Sequence, residues 1–346
     1  MLKDRQLDIL RLVVQMFTAT GQPVGSTTLK DAGINASTAT IRNDLALLER
    51  QGLLEKTHVS SGRVPSMLGY RFYVDHLLTL PDLNSEELAE IRHAFSGRYR
   101  AMNDLIEQSV SQLSKLTRYT AFAIEPEMSE RILTDFRLIP LGASKFMTVV
   151  ITNHGNVESH LLSTQGQMNQ RDLESLVSIV NEYFIGKTMA AVQQCLRTEL
   201  PITLRNTYSD APVLLSMLEN IFGKVFEDKV YVSGQMNLLD DESIRSIEQF
   251  KKIYSLMNDR ERLLNIIPTM TSPIEVKIGD ELHNELLSGM SLIAANYHVD
   301  GHGSGIIALL GPAKMSYAKT IGLVDRFRKE LENQVSDYYR VLDSSN

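Results

Sequence analysis

The sequence contains one cysteine, no tryptophan and no apolar run approaching the roughly 20 residues that a membrane-spanning helix needs. Because Cys195 stands alone, no intrachain disulfide can form, and this favours a reducing compartment. The first six residues mix acidic and basic side chains and lack an apolar signal core. We therefore expect a cytoplasmic protein with no membrane partner. Cys195 lies in a helical run, and we interpret it as an inert core thiol.

Motifs of catalysis and cofactor binding are absent as well, since the sequence has no HExxH, CxxC, GxSxG or Walker A pattern. One cluster resembles a metal site, because alternate residues of a strand share a face and would bring His298, Asp300 and His302 together. Glycines alternate through the same segment, so we interpret it as the polar tip of a hairpin. The sequence predicts no enzyme, no metal and no cofactor.

Charge is distributed unevenly along the chain. The whole sequence has a net charge of −7, whereas residues 1–75 carry nine Lys/Arg and seven Asp/Glu, a net of +2. The remaining residues therefore carry −9. A mildly basic head on an acidic body suits a regulator that touches nucleic acid with one end. A net charge of +2 is too small to identify a nucleic-acid-binding domain, so that prediction depends on the sequence motifs.

Helical spacing and helix-ending residues divide the N-terminus into three helices. Apolar residues recur at helical intervals over residues 5–18, and Gly21 ends this helix. A short second helix follows at 26–33, with Ser26 as its cap, and a third covers about 38–51. Helix, short helix, tight turn and longer helix is the helix-turn-helix arrangement.

The third helix has two contrasting faces. Ile41, Leu45 and Leu48 recur at i, i+4 and i+7, so they predict its buried stripe. Small and hydrogen-bonding side chains occupy the opposite face near the helix N-terminus, where a recognition helix meets the bases. We predict close approach or base-edge contact for Ala39, Thr40, Arg42 and Asn43.

A wing is predicted directly after this helix. Residues 53–59 are typical of a strand, and residues 60–66 form a turn with Arg63 at its tip. A basic loop in this position can reach a phosphate or the minor groove. The predicted phosphate and wing contacts of the head are Ser26, Thr38, Ser61, Arg63 and Arg71.

The body of the chain alternates helices with groups of strands. A linker at 76–85 precedes a long helix predicted from Ser85 to about Leu116, followed by three strands. Further helices, one of them at about 243–264, three more strands and a last helix at about 317–331 come after them. This order predicts an α+β fold around an antiparallel sheet, of the kind found in GAF-like sensor domains.

Nine segments, in order along the chain, carry a resemblance to a known family. They are PVGS at 23–26, STATIRND at 37–44, ERQGLL at 49–54, SGRVP at 61–65, GYRFYVD at 69–75, VYVSG at 230–234, NLL at 237–239, GPAKMSY at 311–317 and IGL at 321–323. Together they resemble HrcA, the bacterial heat-inducible transcription repressor family. Two departures, a shortened turn at 31–35 and Ala313-Lys314 where the family pattern has Thr-Arg, lie outside the third helix.

The resemblance implies both an architecture and a function. It implies a winged helix-turn-helix at 1–75 and a GAF-like domain at 86–164 and 230–340, with an inserted dimerising subdomain whose limits we predict at 165–229. It also implies a homodimeric repressor that binds an inverted-repeat operator upstream of the GroE and DnaK chaperone operons. In this family picture heat releases the repressor and the GroE chaperonin modulates its activity.

Two other functions stay open at this point. A repressor of the same architecture could respond to a metabolite bound in the GAF-like domain, and ligand-dependent thermal stabilisation would reveal it. An enzyme with an accessory DNA-binding head would need a convergent titratable cluster, and only residues 298–302 come close.

Overall fold

The computed structural model describes residues 2–56, 62–81, 83–97, 102–126, 131–142, 145–153, 157–163, 170–208, 210–225, 229–240, 244, 246–300 and 303–343. The α-helices are α1 (Asp4–Thr20), α2 (Ser26–Asp31), α3 (Thr38–Arg50), α4 (Met67–Phe72), α5 (Ser85–Ala94), α6 (Met102–Thr117), α7 (Gln170–Tyr183), α8 (Met189–Arg197), α9 (Leu200–Thr207), α10 (Ala211–Val225), α11 (Ile247–Asn258), α12 (Arg260–Ile266) and α13 (Tyr317–Asp343). The strands are β1 (Leu54–Lys56), β2 (Arg63–Pro65), β3 (Thr120–Ile124), β4 (Leu133–Pro140), β5 (Lys145–Thr152), β6 (Val157–Ser163), β7 (Val230–Ser233), β8 (Ile274–Ile278), β9 (Met290–Val299) and β10 (Gly303–Pro312). Within the described part of the chain, no helix is long and apolar enough to cross a membrane.

The chain divides into two compact units. The first consists of Met1–Ala123, Tyr231–Tyr297 and Ile306–Leu331, and the second of Ile124–Val230, His298–Gly305 and Glu332–Asn346. The first unit contains the pair β1-β2 and most of the five-stranded sheet β7-β3-β10-β9-β8, and the second unit contains the three-stranded sheet β4-β5-β6.

The winged helix at the start of the first unit follows from local signals. Gly21 adopts a left-handed conformation with φ of 68° and its N–H closes α1 on the carbonyl of Phe17 at 2.8 Å. The hydroxyl of Ser37 accepts a hydrogen bond from the Thr40 N–H and so caps α3. Gly25, and not Ser26 as predicted, is the cap residue of α2. After α3 the chain forms the antiparallel pair β1–β2.

The remainder of the first unit is an α+β fold built on the five-stranded sheet. Strand β8 pairs with β9 in antiparallel register, as the predicted fold class requires. Strands β3 and β7 were not recognised in the sequence. Every residue of β3 is buried, so it lacks the alternation that reveals a half-exposed strand.

Gly234 and Asn237, from the VYVSG and NLL motifs, both contact the segment that joins α6 to β3. Its φ is +76°, and a Cβ atom there would overlap the hydroxyl oxygen of Ser114. The side-chain amide of Asn237 donates to the carbonyl of Tyr119 at 3.1 Å, and Thr120 donates to the carbonyl of Gly234. These motifs therefore join β7 to the end of α6 and to β3.

The second unit begins earlier than the predicted insertion. Phe136 of β4 and Val150 of β5 share one core cluster with residues of α7–α10, and Phe136 stacks on Phe222 with ring centroids 6.1 Å apart. The three-stranded sheet therefore folds with the helices, and the unit starts at Ile124 instead of residue 165. Strands β4–β6 bury their apolar face against these helices, and the limits of the dimerising insertion stay a prediction.

Three predicted helices have different limits in the structure. The helix predicted from Ser85 to Leu116 is two helices, since α5 ends at Ala94 and α6 begins at Met102. The helix predicted over 243–264 breaks at Asp259, whose carboxylate caps the N–H of Arg262 at 3.1 Å. Helix α13 runs beyond residue 331 to Asp343, with Val335 and Tyr339 buried.

Candidate nucleic-acid interface

Helix α3 presents the predicted faces. Ile41, Leu45 and Leu48 are buried, which confirms the predicted stripe. On the other side Ala39, Arg42 and Asn43 are exposed, while Thr38 and Thr40 are half-buried. The structure therefore gathers the four predicted base-contacting residues on the accessible N-terminal half of one helix.

Polar contacts hold two of these side chains in place. The hydroxyl groups of Ser37 and Thr40 are 2.9 Å apart, which links the Thr40 side chain to the cap of α3. Arg42 donates from Nε to the hydroxyl oxygen of Ser26 at 3.3 Å. Ser26 is buried on α2, so it supports Arg42 from inside the head, and its phosphate contact stays a prediction.

Asp44 is a polar residue that the sequence reasoning missed. It lies on the buried side of α3 and accepts hydrogen bonds from Arg5 Nε at 2.7 Å and Gln6 Nε2 at 3.0 Å, both on α1. Burial raises the pKa of this carboxyl, but the hydrogen bonds from Arg5 and Gln6 and the nearby positive charge outweigh it and lower the pKa overall. The sequence feature that could have revealed this buried carboxylate is its position three residues after Ile41, on the same side of α3 as the buried stripe.

The lowered pKa of Asp44 predicts a pH dependence of stability. A carboxyl with a folded-state pKa below its ordinary value of 3.8 stabilises the fold above that value, and this contribution is lost as the pH falls through the folded-state pKa. We expect the unfolding free energy of the chain to fall more steeply in this acidic range than that of Asp44→Asn. Thermal denaturation of both proteins across this pH range measures it, and parallel profiles would contradict the role given to Asp44.

Arg63 lies in strand β2 and not at the tip of the wing. Its backbone pairs with Val24 in both directions at 2.9 Å, and its side chain donates to Glu49 of α3 from Nε at 2.8 Å. The side chain is only 16% exposed. Arg63 therefore joins the wing to α3, which corrects its predicted place at the tip. The predicted contact Ser61 and residues 57–60 lie outside the described residues.

Arg71 is engaged with acidic and carbonyl oxygens of the first unit. Its Nε and Nη2 bind the two carboxylate oxygens of Glu281 at 2.9 and 2.5 Å, and Nη1 binds Asp75 at 3.0 Å. Nη2 also donates to the carbonyl of Val276 at 2.6 Å. This bidentate arrangement joins α4 to the segment after β8, so Arg71 has internal partners that the sequence did not reveal, and its phosphate contact stays a prediction.

Substitution of Arg71 distinguishes an internal ion pair with Glu281 from a contact with a DNA phosphate. We expect Arg71→Ala to lower the unfolding free energy by about 1–3 kcal/mol, the typical result when a hydrogen-bonded charge loses its partner. The slope of log K against log salt for DNA binding should not change, because no phosphate contact is removed. Glu281→Gln should give a similar stability loss without removing a basic group. If the salt slope of DNA binding fell by about one unit in Arg71→Ala but not in Glu281→Gln, Arg71 would be a phosphate contact.

The other candidate sites in the sequence have ordinary surroundings. His298 Nδ1 is 3.0 Å from the hydroxyl of Ser304, and its Nε2 is 3.5 Å from Asp300, while His302 lies outside the described residues. Over the ranges that the structure covers, no three His, Cys, Asp or Glu side chains converge as metal ligands. Cys195 is buried, and burial raises the pKa of its thiol, which matches the predicted inert role.

A helix-turn-helix with an exposed polar face on its third helix, followed by a paired wing and an α+β body, defines a DNA-binding transcription regulator. Comparisons with known proteins agree. Residues 31–63 match the DeoR-like helix-turn-helix domain, and residues 103–321 match the HrcA protein C terminal domain. The chain belongs to the HrcA family of heat-inducible transcription repressors.

Relatives match over nearly the whole chain. The heat-inducible transcription repressor HrcA of Enterococcus faecalis is 46% identical over 99% of both chains, and that of Tetragenococcus halophilus is 44% identical over 99% of both. A crystal structure described as a hypothetical protein covers 98% of this chain and 100% of its own, with a TM-score of 0.61 and 21% identity. That likeness supports the fold.

Proposed function

We propose that this chain is a homodimeric repressor that binds an inverted-repeat operator upstream of the GroE and DnaK chaperone operons and leaves it on heating. The observation that carries the proposal is the accessible N-terminal half of α3, with Ala39, Arg42 and Asn43 exposed together. Membership of the HrcA family supports it. We further propose that the protein acts in the cytoplasm, lies at the nucleoid when it is bound to the operator and has no catalytic role.

The chemistry of α3 suits direct readout in a major groove. Ala39 permits close backbone approach, Asn43 can pair with adenine, and the guanidinium of Arg42 can pair with guanine. Thr40 lies beside them, and in this proposal Thr38, in the first turn of α3, would bind a phosphate at the groove edge. A two-fold symmetric dimer would present two such helices to the two halves of an inverted repeat.

The second unit offers a surface for the dimer. Ile202 on α9 and Val213 on α10 are 65% and 59% exposed, large values for apolar side chains, and their helices pack against each other. Leu141, Val157 and Leu161 of the same unit are also exposed. Exposed apolar groups of this kind mark interaction sites. We infer that this unit, and not only residues 165–229, carries the dimer contact.

Substitution of Ile202 and Val213 tests the dimer contact without removing residues of the hydrophobic core. Deleting 165–229 would remove α7–α10 and uncover Phe136 and Val150, so loss of dimers would not distinguish misfolding from a lost interface. We expect the double variant Ile202→Asp and Val213→Asp to sediment as a folded monomer. The matched control is Met236→Asp, since Met236 is an equally exposed apolar residue of the first unit. A double variant that still sediments as a dimer would place the contact elsewhere.

The function itself is tested by a gel shift on inverted-repeat operator DNA and on a scrambled duplex. We expect the chain to shift the operator alone, to lose the shift after heating and to regain it with GroE and ATP. Equal binding of both duplexes would contradict the repressor assignment. A shift that survives heating, or that GroE leaves unchanged, would contradict the heat release or the chaperonin modulation separately.

A further inference from the structure

A cavity of about 510 Å³ opens in the first unit between α11, α12 and the 3₁₀ turns that follow β8. Leu256, Ile266 and Leu282 are buried side chains that line it and form an apolar floor. Its volume falls within the range of about 300–1,000 Å³ that is typical of small-molecule sites. The repressor mechanism proposed above uses none of these residues.

The rim of this cavity is basic and polar. Lys252 of α11 and Arg262 of α12 line it with exposed side chains, and so does His283, which directly follows the 3₁₀ turn Gly279–Leu282. Asn265 and Asn284 add amide groups, and no Asp or Glu is found among the described residues that line the cavity. Basic groups converge here although the chain beyond residue 75 carries a net charge of −9. The two cationic side chains, Lys252 and Arg262, have no acidic residue beside them in the described lining, and such a setting attracts anions.

The geometry of two rim residues supports a binding role. Arg262 contacts Asp259 through Nε at 3.1 Å. A guanidinium has five N–H donors, so this ion pair uses only part of the donor capacity of Arg262. His283 has a φ of 50°, an uncommon conformation for a residue other than glycine, and its N–H is bound to the carbonyl of Asp280 at 3.0 Å. This left-handed conformation ends the 3₁₀ turn Gly279–Leu282 and fixes the position of His283 at the rim.

We propose that this cavity binds a nucleoside phosphate. The planar ring would lie on the apolar floor, and the phosphate would meet Lys252, Arg262 and His283. A free phosphate would use the cations and leave the floor uncovered, whereas an uncharged nucleoside would do the reverse. The proposal does not rest on operator binding, since every residue concerned belongs to the body of the first unit.

Isothermal titration of the full-length chain tests this site without DNA. The probes are adenosine 5′-monophosphate, inorganic phosphate and adenosine, and we expect the first to bind most tightly. Lys252→Gln and Arg262→Gln should each weaken its binding about tenfold, as expected for loss of one charge-assisted hydrogen bond. Lys251→Gln is the matched control, because Lys251 is an exposed neighbour on α11 that does not line the cavity.

Four results would overturn the proposal. They are no heat with adenosine 5′-monophosphate, inorganic phosphate binding as tightly as the nucleotide, adenosine binding as tightly, or equal nucleotide affinity in the parent chain and in both cavity variants. Circular dichroism of each variant establishes that it is folded before titration.

Discussion

Alanine at Gly69 is expected to unfold the winged helix and to abolish operator binding with it. Gly69 lies within α4, and a Cβ atom there would overlap the carbonyl oxygen of Leu53. That oxygen accepts the N–H of Ser66 at 3.2 Å, and the hydroxyl of Ser66 accepts the N–H of Gly69 at 2.9 Å. Because the overlap is with backbone, no side-chain rotation relieves it, and α4 has to move away from the start of the wing.

Overpacking typically costs about 1–3 kcal/mol and sometimes more, and we expect Gly69→Ala to exceed this range because two backbone segments are forced apart. Such a loss is a large part of the about 5–15 kcal/mol that stabilises a domain. Thermal denaturation and a gel shift of the variant measure both effects.

Gly223→Ala is the matched control for this prediction. Gly223 also lies within a helix, α10, but nothing approaches within 4 Å of the position where a Cβ would stand. Alanine is favoured over glycine inside a helix by about 0.5–1 kcal/mol, so this variant should be slightly more stable than the parent chain. If the two substitutions changed the melting temperature equally, the close approach of Gly69 to Leu53 would be refuted.

Arg42→Ala is expected to weaken specific operator binding by about 1–3 kcal/mol for each half-site, the contribution of a good bidentate base contact. Its guanidinium is exposed on α3, and the hydrogen bond from Nε to Ser26 limits its orientations. A side chain held in this way loses less conformational freedom on binding. Binding to unrelated duplex DNA should change little. Titrations of both duplexes at fixed salt concentration measure the two affinities.

Arg50→Ala serves as the control for the lost charge, and Ser26→Ala tests the support that the Arg42 side chain receives. Arg50 is exposed at the opposite end of α3, so its removal costs the same charge without removing a residue near the helix N-terminus. Ser26→Ala should lower specific affinity less than Arg42→Ala, because it removes the support and leaves the guanidinium. If Arg42→Ala weakened specific and nonspecific binding to the same extent, Arg42 would be a phosphate contact.

The sequence by itself determined the N-terminal helices, the buried stripe of α3 and the residues exposed opposite to it. Ile41, Leu45 and Leu48 are buried as their spacing predicts, and Gly21 ends α1. These features follow from the 3.6-residue repeat of the helix and from hydrogen bonds between residues a few positions apart. Such geometry is complete within one segment, so it can be recognised without knowledge of the rest of the chain.

Only the tertiary structure decided what the charged side chains bind and where the second unit begins. Arg71 binds Glu281, which lies 210 residues away in the sequence. Arg63 lies beside Glu49 and Val24 and not at the tip of the wing. The start of the second unit depended in the same way on β4–β6 packing against α7–α10. A charge or an apolar face can be satisfied by many partners, and the choice among them depends on which distant segments the fold brings together.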